Sequence, residues 1–327
     1  MKKKAIITGG LGFIGSHLAE SLIKKNFFVT IIDNFSTGRI ENIEKFSQKK
    51  IKIVNSDIRD KKIFKYFRKV DIVFHLAALA DIVPSINYPE SYFNTNVHGT
   101  LNILNASKDN KVKKLIYAAS ASCYGVPKKY PTDENCPIDP KYPYALTKRL
   151  GEELVLHWGK IYKLNVTSLR LFNVYGTKSR TSGVYGAMFG TFLAQKLKNY
   201  PFTVVGDGKQ SRDFTYVSDV VDAFMKCINY NKSGEIFNVA SGNATSVNTI
   251  CDLLGGKKIF IQKRPGEPDK TLADITKINK ELGWKPKISI EKGVKKVLED
   301  INYWKKAPLW TKKKIDIATR QWFKFLS

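Results

Sequence analysis

A glycine-rich turn near the amino terminus constrains the fold of this chain more than any other stretch of its sequence. The turn, residues 8–15 (Thr-Gly-Gly-Leu-Gly-Phe-Ile-Gly), follows a short apolar run at residues 4–7 and precedes an apolar helical pattern at residues 16–24. A second apolar run, residues 27–32, ends at Asp33. Strand, glycine turn, helix, strand and acidic residue within about 30 residues are typical of a βαβ unit that binds a dinucleotide.

Three glycines of this turn, and Asp33 after it, have expected roles in binding the dinucleotide. Gly9 lets the chain turn tightly, Gly12 lets backbone amides approach a pyrophosphate, and Gly15 lets helix and strand pack closely. The helix amino terminus then faces the phosphates with its partial positive charge. Asp33, 18 residues after Gly15, is placed to accept hydrogen bonds from ribose hydroxyls. Because its carboxylate repels a 2′-phosphate, we expect NAD rather than NADP.

Apolar runs alternate with helical patterns through the first half of the chain. Further strands are expected at residues 51–54, 72–74, 115–118 and 166–171. Such alternation favours a doubly wound α/β (Rossmann) fold, with a parallel sheet covered on both faces. Ligands of these sheets bind beyond the carboxyl ends of the strands. The polar or small residues expected there are Asp57, residues 75–78, Ser120 and Asn173.

The pattern becomes less regular after Tyr175. It predicts a loop at residues 183–190, a helix at residues 192–197 and a turn at residues 206–208. We expect an NAD-binding domain over residues 1–175 and a smaller C-terminal α/β lobe that binds substrate. The lobe is assigned residues 176–212 and 246–327, and residues 213–245 return to the first domain through a strand at residues 235–239.

Tyr144 and Lys148 are spaced four residues apart on a predicted helix. At this spacing they project from the same helix face. An ammonium near a phenol favours the phenolate, so the tyrosine pKa is expected to fall from its ordinary value of about 10. A phenolate near neutral pH is a general base for a hydroxyl group.

The charge, cysteine content and apolar runs of the sequence limit the kinds of molecule that the protein is expected to bind. The 327 residues include 55 Lys and Arg against 29 Asp and Glu, a net charge of +26. The lysines are scattered without an aromatic-interleaved basic stripe, so no nucleic-acid partner is expected. The 4 cysteines have neither metal-type nor disulfide-type spacing, which indicates no metal and a reducing compartment. No apolar run approaches the ~18 residues of a membrane span, and we expect a cytoplasmic protein without an integral membrane segment.

Motifs along the chain together resemble those of the extended short-chain dehydrogenase/reductases that act on nucleotide sugars. They are residues 8–15, 57–58, 75–78, Ser120, Tyr144 with Lys148, residues 169–173, residues 206–214 and residues 264–267. Their order and spacing match the family to about residue 299. The resemblance implies NAD as cofactor, a nucleotide sugar as substrate, a role in polysaccharide biosynthesis and a homodimer.

The resemblance also implies site residues. Tyr144 is the catalytic base, Lys148 holds the nicotinamide ribose and lowers the tyrosine pKa, and Ser120 hydrogen-bonds the sugar oxygen. The implied cofactor contacts are Gly9, Gly12, Phe13, Ile14, Gly15, Asp33, Asn34, Asp57, Ile58, Leu76, Ala77, Ala78, Asn96, Tyr144 and Lys148. The implied substrate contacts are Ser120, Ser122, Tyr144, Asn173, Arg212, Arg264, Glu267 and Thr271.

The two residues that directly follow Ser120 distinguish the reactions that family members catalyse. The 4,6-dehydratases carry Asp-Glu there, and the UDP-glucuronate decarboxylases carry Glu at the second position. This chain has Ala121 and Ser122, neither of which is a carboxylate. The resemblance thus favours a UDP-sugar 4-epimerase working through a transient 4-keto sugar. A UDP-glucuronate 4-epimerase is the alternative, and Ala121 and Ser122 disfavour a dehydratase or decarboxylase.

Thr271 bears on the identity of the sugar. In the epimerases the residue seven after the Arg264 position stands beside the sugar C2 substituent, where tyrosine limits substrates to plain hexoses. The smaller Thr271 predicts that UDP-N-acetylglucosamine is accepted alongside UDP-glucose, with the corresponding galactose epimers as products. The basic net charge mildly favours UDP-glucuronate.

The amphipathic C-terminal stretch, residues 310–325, permits two interpretations. It either binds a membrane surface or partner, or packs on its own domain.

Overall fold

A seven-stranded parallel sheet forms the centre of the computed structural model, which describes residues 2–179 and 188–326, without the Gln48 side chain. The strands of the structure are β1 (Lys4–Thr8), β2 (Phe28–Asp33), β3 (Ile51–Asn55), β4 (Ile72–His75), β5 (Lys114–Ser120), β6 (Asn165–Leu171), β7 (Asn173–Tyr175), β8 (Phe202–Val205), β9 (Ser211–Tyr216), β10 (Glu235–Val239), β11 (Ala244–Ser246) and β12 (Lys258–Ile261). The helices are α1 (Phe13–Lys24), α2 (Ile82–Asn87), α3 (Pro89–Phe93), α4 (Gly99–Asp109), α5 (Pro143–Tyr162), α6 (Met188–Leu197), α7 (Val217–Cys227), α8 (Val247–Leu254), α9 (Thr276–Leu282), α10 (Ile290–Glu299), α11 (Lys312–Ala318) and α12 (Arg320–Leu326).

The strand order of the large sheet is β10-β6-β5-β4-β1-β2-β3. The chain starts in β1, proceeds outward to β3, and then crosses back to β4 on the other side of β1. This reversal places a crevice beyond the carboxyl ends of β1 and β4, where Thr8 lies beside His75. The doubly wound parallel fold predicted from the sequence is confirmed.

Burial on both faces explains the continuous apolar runs of the sheet. Strand β1 is buried from Ala5 to Thr8, and all of β5 except Ser120 is buried. Helices α1 and α7 cover one face with residues such as Leu18 and Phe224. Helices α4 and α5 cover the other face, so both sides of each central strand select apolar residues.

Two smaller sheets, β11-β9-β7 and β12-β8, build the remainder with their own apolar core. Strand β10 lies beside β6 at the edge of the large sheet. In the loop predicted at residues 183–190, residues 183–187 lie outside the described part of the chain. The rest of that prediction is wrong, because α6 already begins at Met188 and Phe189 stacks on Tyr175 with ring centroids 4.7 Å apart.

The C-terminal helices α11 and α12 pack against their own chain. Ile315 and Trp322 are buried in a cluster with Val83 and Ile261. Of the two interpretations of this stretch, the structure therefore supports packing on the protein itself. Within residues 2–179 and 188–326, no helix combines the length and apolar character that a bilayer crossing needs.

Candidate active site

A cavity of about 880 Å³ opens at the carboxyl ends of the large sheet and extends to the smaller sheets. This volume lies within the roughly 300–1,000 Å³ common for small-molecule sites. Every residue expected to contact cofactor or substrate lines it except Asn96: Gly9, Gly12, Phe13, Ile14, Gly15, Asp33, Asn34, Asp57, Ile58, Leu76, Ala77, Ala78, Ser120, Ser122, Tyr144, Lys148, Asn173, Arg212, Arg264, Glu267 and Thr271.

The backbone of the glycine turn is packed so closely that side chains at Gly9 and Gly15 would clash with neighbouring backbone atoms. Gly9 has a φ of +69°, and a Cβ there would lie 2.9 Å from the Ala77 backbone. A Cβ on Gly15 would lie 2.3 Å from the Gly9 carbonyl oxygen. Helix α1 follows with Gly12 as its N-cap, so no side chain covers the first amides of the helix. The turn therefore offers an open, partly positive cradle that fits a pyrophosphate.

Asp33 closes the cradle at the end of β2. Its carboxylate accepts hydrogen bonds from the Leu11 amide at 3.0 Å and the Phe35 amide at 2.9 Å. Burial raises the pKa of Asp33, and these two backbone bonds act in the opposite direction. A carboxylate can accept about four hydrogen bonds, so two acceptor positions are left for ribose hydroxyls.

Asp57 stands beyond the end of β3 and is held from two sides. The Asn34 amide donates to it at 2.9 Å, and the Arg59 guanidinium donates to its two oxygens at 2.8 and 2.9 Å. Hydrogen bonding from Arg59 is the main reason that the pKa of Asp57 is lowered. Sequence reasoning did not include Arg59, which also lines the cavity.

Asn96, which is predicted as a cofactor contact, is not among the residues that line the cavity. Its side-chain oxygen accepts from the Leu79 amide at 2.8 Å. Its side-chain nitrogen donates to the Leu79 carbonyl at 3.0 Å and to Thr147 Oγ1 at 3.1 Å. Asn96 is 1% exposed, and its bonds link Leu79 to Thr147 of α5.

His75 lies behind the glycine turn as a buried neutral group. Thr8 Oγ1 already accepts the Leu76 and Ala77 amides, so it donates its hydrogen to His75 Nδ1 at 2.7 Å. Thr100 donates to the Asn96 carbonyl, so it accepts from His75 Nε2 at 2.9 Å. Burial lowers the pKa of His75 to about 3, and Lys148 acts in the same direction.

The buried His75 predicts acid sensitivity. Between its ordinary pKa of 6.5 and about 3, the unfolded chain binds a proton that the folded protein excludes. The free energy of unfolding should therefore fall as pH drops through this window, by an amount on the order of a few kcal/mol. Urea unfolding at several pH values should give a flatter profile for His75→Gln than for the wild type. An unchanged slope in His75→Gln, or an equal flattening in the exposed-site control His157→Gln, would contradict this assignment.

Tyr144 and Lys148 lie in the first turns of α5, facing Ser120 at the end of β5. Lys148 is buried, with Nζ 4.4 Å from the centre of the Tyr117 ring. Burial lowers the pKa of Lys148 to about 7, and Glu152 opposes this shift. Burial raises the pKa of Tyr144, while a hydrogen bond with Ser120 lowers it. The expected lowering of the tyrosine pKa is thus absent from the polypeptide alone, because burial outweighs the polar partners.

The segment after Ser120 contains hydroxyls and no acid. Ser120 Oγ lies 2.8 Å from Ser122 Oγ and accepts the Ser122 amide at 3.2 Å. This bond caps a short 3₁₀ turn, Ala121–Tyr124. The wall of the cavity beside Ser120 therefore presents two hydroxyls and a methyl group.

The far end of the cavity carries two arginines that share one carboxylate. Arg264 Nη1 lies 3.0 Å from Glu267 Oε1, and Arg212 Nη2 lies 3.9 Å from Glu267 Oε2. Nearby, Thr271 Oγ1 donates to Asn173 Oδ1 at 3.2 Å. Two guanidinium groups against one carboxylate leave a net positive charge, which suits phosphate oxygens.

The structure also reveals residues that sequence reasoning missed. Glu152 lies one helical turn after Lys148 and is 1% exposed, and its spacing of four was a signal available in the sequence. Tyr142 and Trp322 line the arginine end of the cavity. Nothing in the sequence indicated that these two distant aromatic residues meet. The described part of the chain contains no group of His, Cys, Asp and Glu side chains placed to hold a metal ion.

The chain is similar to known proteins over most of its length. The family model described as GDP-mannose 4,6 dehydratase matches residues 6–297. A protein of Methanocaldococcus jannaschii with the provisional name UDP-glucose 4-epimerase is 38% identical over 302 residues, covering 90% of this chain and 96% of its own length.

Solved structures extend the comparison to bound molecules. The UDP-N-acetylglucosamine 4-epimerase of Methanobrevibacter ruminantium M1, in complex with UDP-N-acetylmuramic acid, is 32% identical with a TM-score of 0.87, covering 92% of this chain and 99% of that chain. The UDP-glucuronic acid 4-epimerase of Bacillus cereus, in complex with UDP-glucuronic acid and NAD, is 30% identical with a TM-score of 0.85, covering 91% of this chain and 99% of that chain.

Proposed function

The chain belongs to the extended short-chain dehydrogenase/reductase family of nucleotide-sugar enzymes, and we propose that within it the protein is an NAD-dependent UDP-sugar 4-epimerase. Family membership alone does not separate epimerases from dehydratases and decarboxylases. The observation that carries the proposal is the pair Ala121 and Ser122 beside Ser120. Without a carboxylate at these two positions, the site lacks the acid or base that the resemblance assigns to dehydration and to decarboxylation.

NAD is the cofactor that the glycine cradle and Asp33 fit. The open amides at the start of α1 hold the pyrophosphate, and Asp33 accepts from the adenosine ribose. When bound, NAD⁺ supplies the hydride acceptor and a positively charged nicotinamide ring. Lys148, with its pKa lowered to about 7 by burial, is assigned to the nicotinamide ribose hydroxyls.

Proton transfer in the proposed reaction is assigned to Tyr144. Its phenolate accepts the proton of the sugar C4 hydroxyl as C4 is oxidised, and the phenol returns the proton to the same oxygen when the ketone is reduced. Ser120 donates a hydrogen bond to this oxygen and stabilises the charge that develops on it. Burial raises the pKa of Tyr144 and the hydrogen bond with Ser120 lowers it, so the Ser120 contact favours the phenolate that this step needs.

Inversion at C4 requires that the hydride leaves from one face of the sugar and returns to the opposite face of the bound ketone. Arg212 and Arg264 hold the diphosphate at one end of the cavity. The sugar is assigned to the space between Ser120 and the arginines, where small side chains such as Ala121 and Thr271 line the cavity. Tight phosphate contacts with loose sugar contacts let the sugar rotate while the nucleotide stays bound.

Dehydration and decarboxylation of the sugar are the alternative reactions, and both need a carboxylate next to Ser120. Ala121 and Ser122, which follow Ser120, provide none. Loss of water across C5–C6 and loss of carbon dioxide are both assigned to acidic residues after the serine position. Inversion of UDP-glucuronate is the second candidate function. The likeness to the glucuronic acid epimerase of Bacillus cereus and the net charge of +26 favour it.

Thr271 supports acceptance of sugars substituted at C2. Its backbone amide donates to the Ser211 carbonyl at 3.0 Å, and its hydroxyl accepts from the Asp213 amide at 3.0 Å. These bonds fix a short side chain at the cavity wall. We infer that both UDP-glucose and UDP-N-acetylglucosamine fit beside it.

Replacing Thr271 with Tyr tests this inference. The larger ring fills the space assigned to an N-acetyl group, so kcat/KM for UDP-N-acetylglucosamine is expected to fall by about 100-fold or more, equivalent to roughly 3 kcal/mol. Activity on UDP-glucose should fall less than tenfold. Thr271→Ser serves as the matched control, because it keeps the hydroxyl and adds no bulk. Parallel losses on both substrates in Thr271→Tyr would contradict the assignment.

Product analysis tests the proposed function. Purified protein is incubated with UDP-glucose, UDP-N-acetylglucosamine, UDP-glucuronate and dTDP-glucose without added NAD, and products are separated by chromatography. An epimerase converts at least one UDP-sugar to its C4 epimer. Release of carbon dioxide or formation of a 4-keto-6-deoxy sugar would overturn the proposal.

A further inference from the structure

The C-terminal helices lie beyond the region that the family model matches, which ends at residue 297. They are attached firmly to the protein. Gln195 Nε2 donates to the Trp310 carbonyl at 2.8 Å, and Thr311 caps the start of α11. Ile315 and Trp322 are buried between Ile261 of β12 and Val83 of α2. This pair of helices therefore bridges the smaller sheets and the segment that follows β4.

Trp322 of α12 reaches the cavity. Its side chain is 1% exposed, and its indole nitrogen donates to the Pro265 carbonyl at 2.8 Å. Its ring centre lies 5.6 Å from the Arg264 guanidinium carbon and 6.0 Å from the Tyr142 ring centre. A buried tryptophan with a satisfied donor provides a fixed aromatic face.

Among the described residues, Trp322 and Glu267 both contact Arg264. The indole face attracts the guanidinium by a cation–π interaction. Glu267 binds its edge at 3.0 Å. The Arg264 side chain is only 11% exposed, so water screens neither contact strongly. A planar guanidinium fixed in this way is preorganised for bidentate contact with phosphate oxygens.

We propose that Trp322 is a positioning residue for Arg264 and that the C-terminal helices form a wall of the nucleotide-diphosphate subsite. This inference rests on the proposed function for the identity of the ligand, a nucleoside diphosphate joined to a sugar. It assigns a ligand-binding task to a segment outside the family match.

The test measures UDP binding to full-length variants by isothermal titration calorimetry. Trp322→Ala is expected to raise the Kd of UDP by about tenfold. Trp322→Phe, which keeps an aromatic face, should lose less. Trp322→Leu keeps apolar bulk without the ring and should resemble Trp322→Ala. Phe325→Ala, at a position on the same helix that is 61% exposed, is the matched control and should bind UDP like the wild type.

A double-mutant cycle separates positioning from a structural role. If Trp322 acts through Arg264, Trp322→Ala adds little further loss once Arg264→Ala is present. NAD content and thermal stability are measured in parallel, because a merely structural change moves them together with UDP binding. Additive losses in the cycle, or a Trp322→Leu variant that binds UDP as the wild type does, would overturn the proposal.

UDP binding requires no turnover, so the two hypotheses fail separately. A wild-type protein that binds UDP but converts no UDP-sugar refutes the epimerase assignment alone. An active epimerase whose Trp322 variants bind UDP normally refutes the positioning role alone.

Discussion

Replacing Tyr144 with Phe is expected to lower kcat for C4 inversion by about 10²–10⁴-fold, the range typical for loss of a general base. The phenol oxygen is the atom assigned to carry the sugar proton, and its pKa responds to burial and to Ser120. The ring itself remains, so packing and the position of α5 should be preserved. Steady-state kinetics, together with the NAD content of the purified protein, measure the effect.

A matched control lies at the other end of the same helix. Tyr162 is 47% exposed and far along α5 from the cavity, so Tyr162→Phe should retain wild-type kcat. Tyr144→Phe should keep its NAD while losing turnover. If Tyr144→Phe retained more than about a tenth of wild-type kcat, another group would have to carry the proton.

Removing the Glu152 carboxylate is expected to lower the free energy of unfolding by about 3–5 kcal/mol. Glu152 is 1% exposed and accepts hydrogen bonds from Ser168 at 2.7 Å and Arg170 at 2.8 Å. In Glu152→Ala, the guanidinium of Arg170, itself 2% exposed, stays buried without its carboxylate. Urea unfolding followed by circular dichroism measures the loss.

The adjacent Glu153 provides the control, because its side chain is 53% exposed and pairs with Arg149 at 3.0 Å. Glu153→Ala should cost no more than about 1 kcal/mol, as for a surface ion pair. The double variant Glu152→Leu with Arg170→Met should recover much of the stability, since it removes both buried charges. A Glu152→Ala loss no larger than that of Glu153→Ala would show that the buried pair adds little.

Glu152 also connects stability to the active site. It lies one turn after Lys148 on α5, and its charge opposes the lowering of the lysine pKa by burial. The ion pair with Arg170 of β6 thus supports the helix that carries Tyr144 and Lys148.

The fold around the glycine turn and Asp33 was predictable because the residues that determine it are close together in sequence. The glycine turn and Asp33 lie within one βαβ unit, so their spacing along the chain determines their spacing in the fold. The strand ends were predictable because buried parallel strands are apolar along their length. Helical spacing predicts that Tyr144 and Lys148 share one helix face, and the resemblance to the family assigns their roles.

The contacts that the sequence did not indicate join residues that are far apart along the chain. Asn96, for example, is hydrogen-bonded to Leu79, 17 residues away, and to Thr147, 51 residues away. Burial, which no spacing reveals, raises the pKa of Tyr144. The contact between Trp322 and Arg264 joins residues far apart in sequence, and no periodic pattern encodes such a pairing.

In the proposed reaction, the enzyme removes hydrogen from C4 of a UDP-sugar and returns it to the same carbon. Incubating the protein without added NAD with UDP-glucose, and separately with UDP-N-acetylglucosamine, each deuterated at C4, tests it most directly. We expect the C4 epimer of at least one substrate, with deuterium retained at C4 as seen by NMR and mass spectrometry. Loss of the C4 deuterium to solvent, or a product that has lost water, would contradict it.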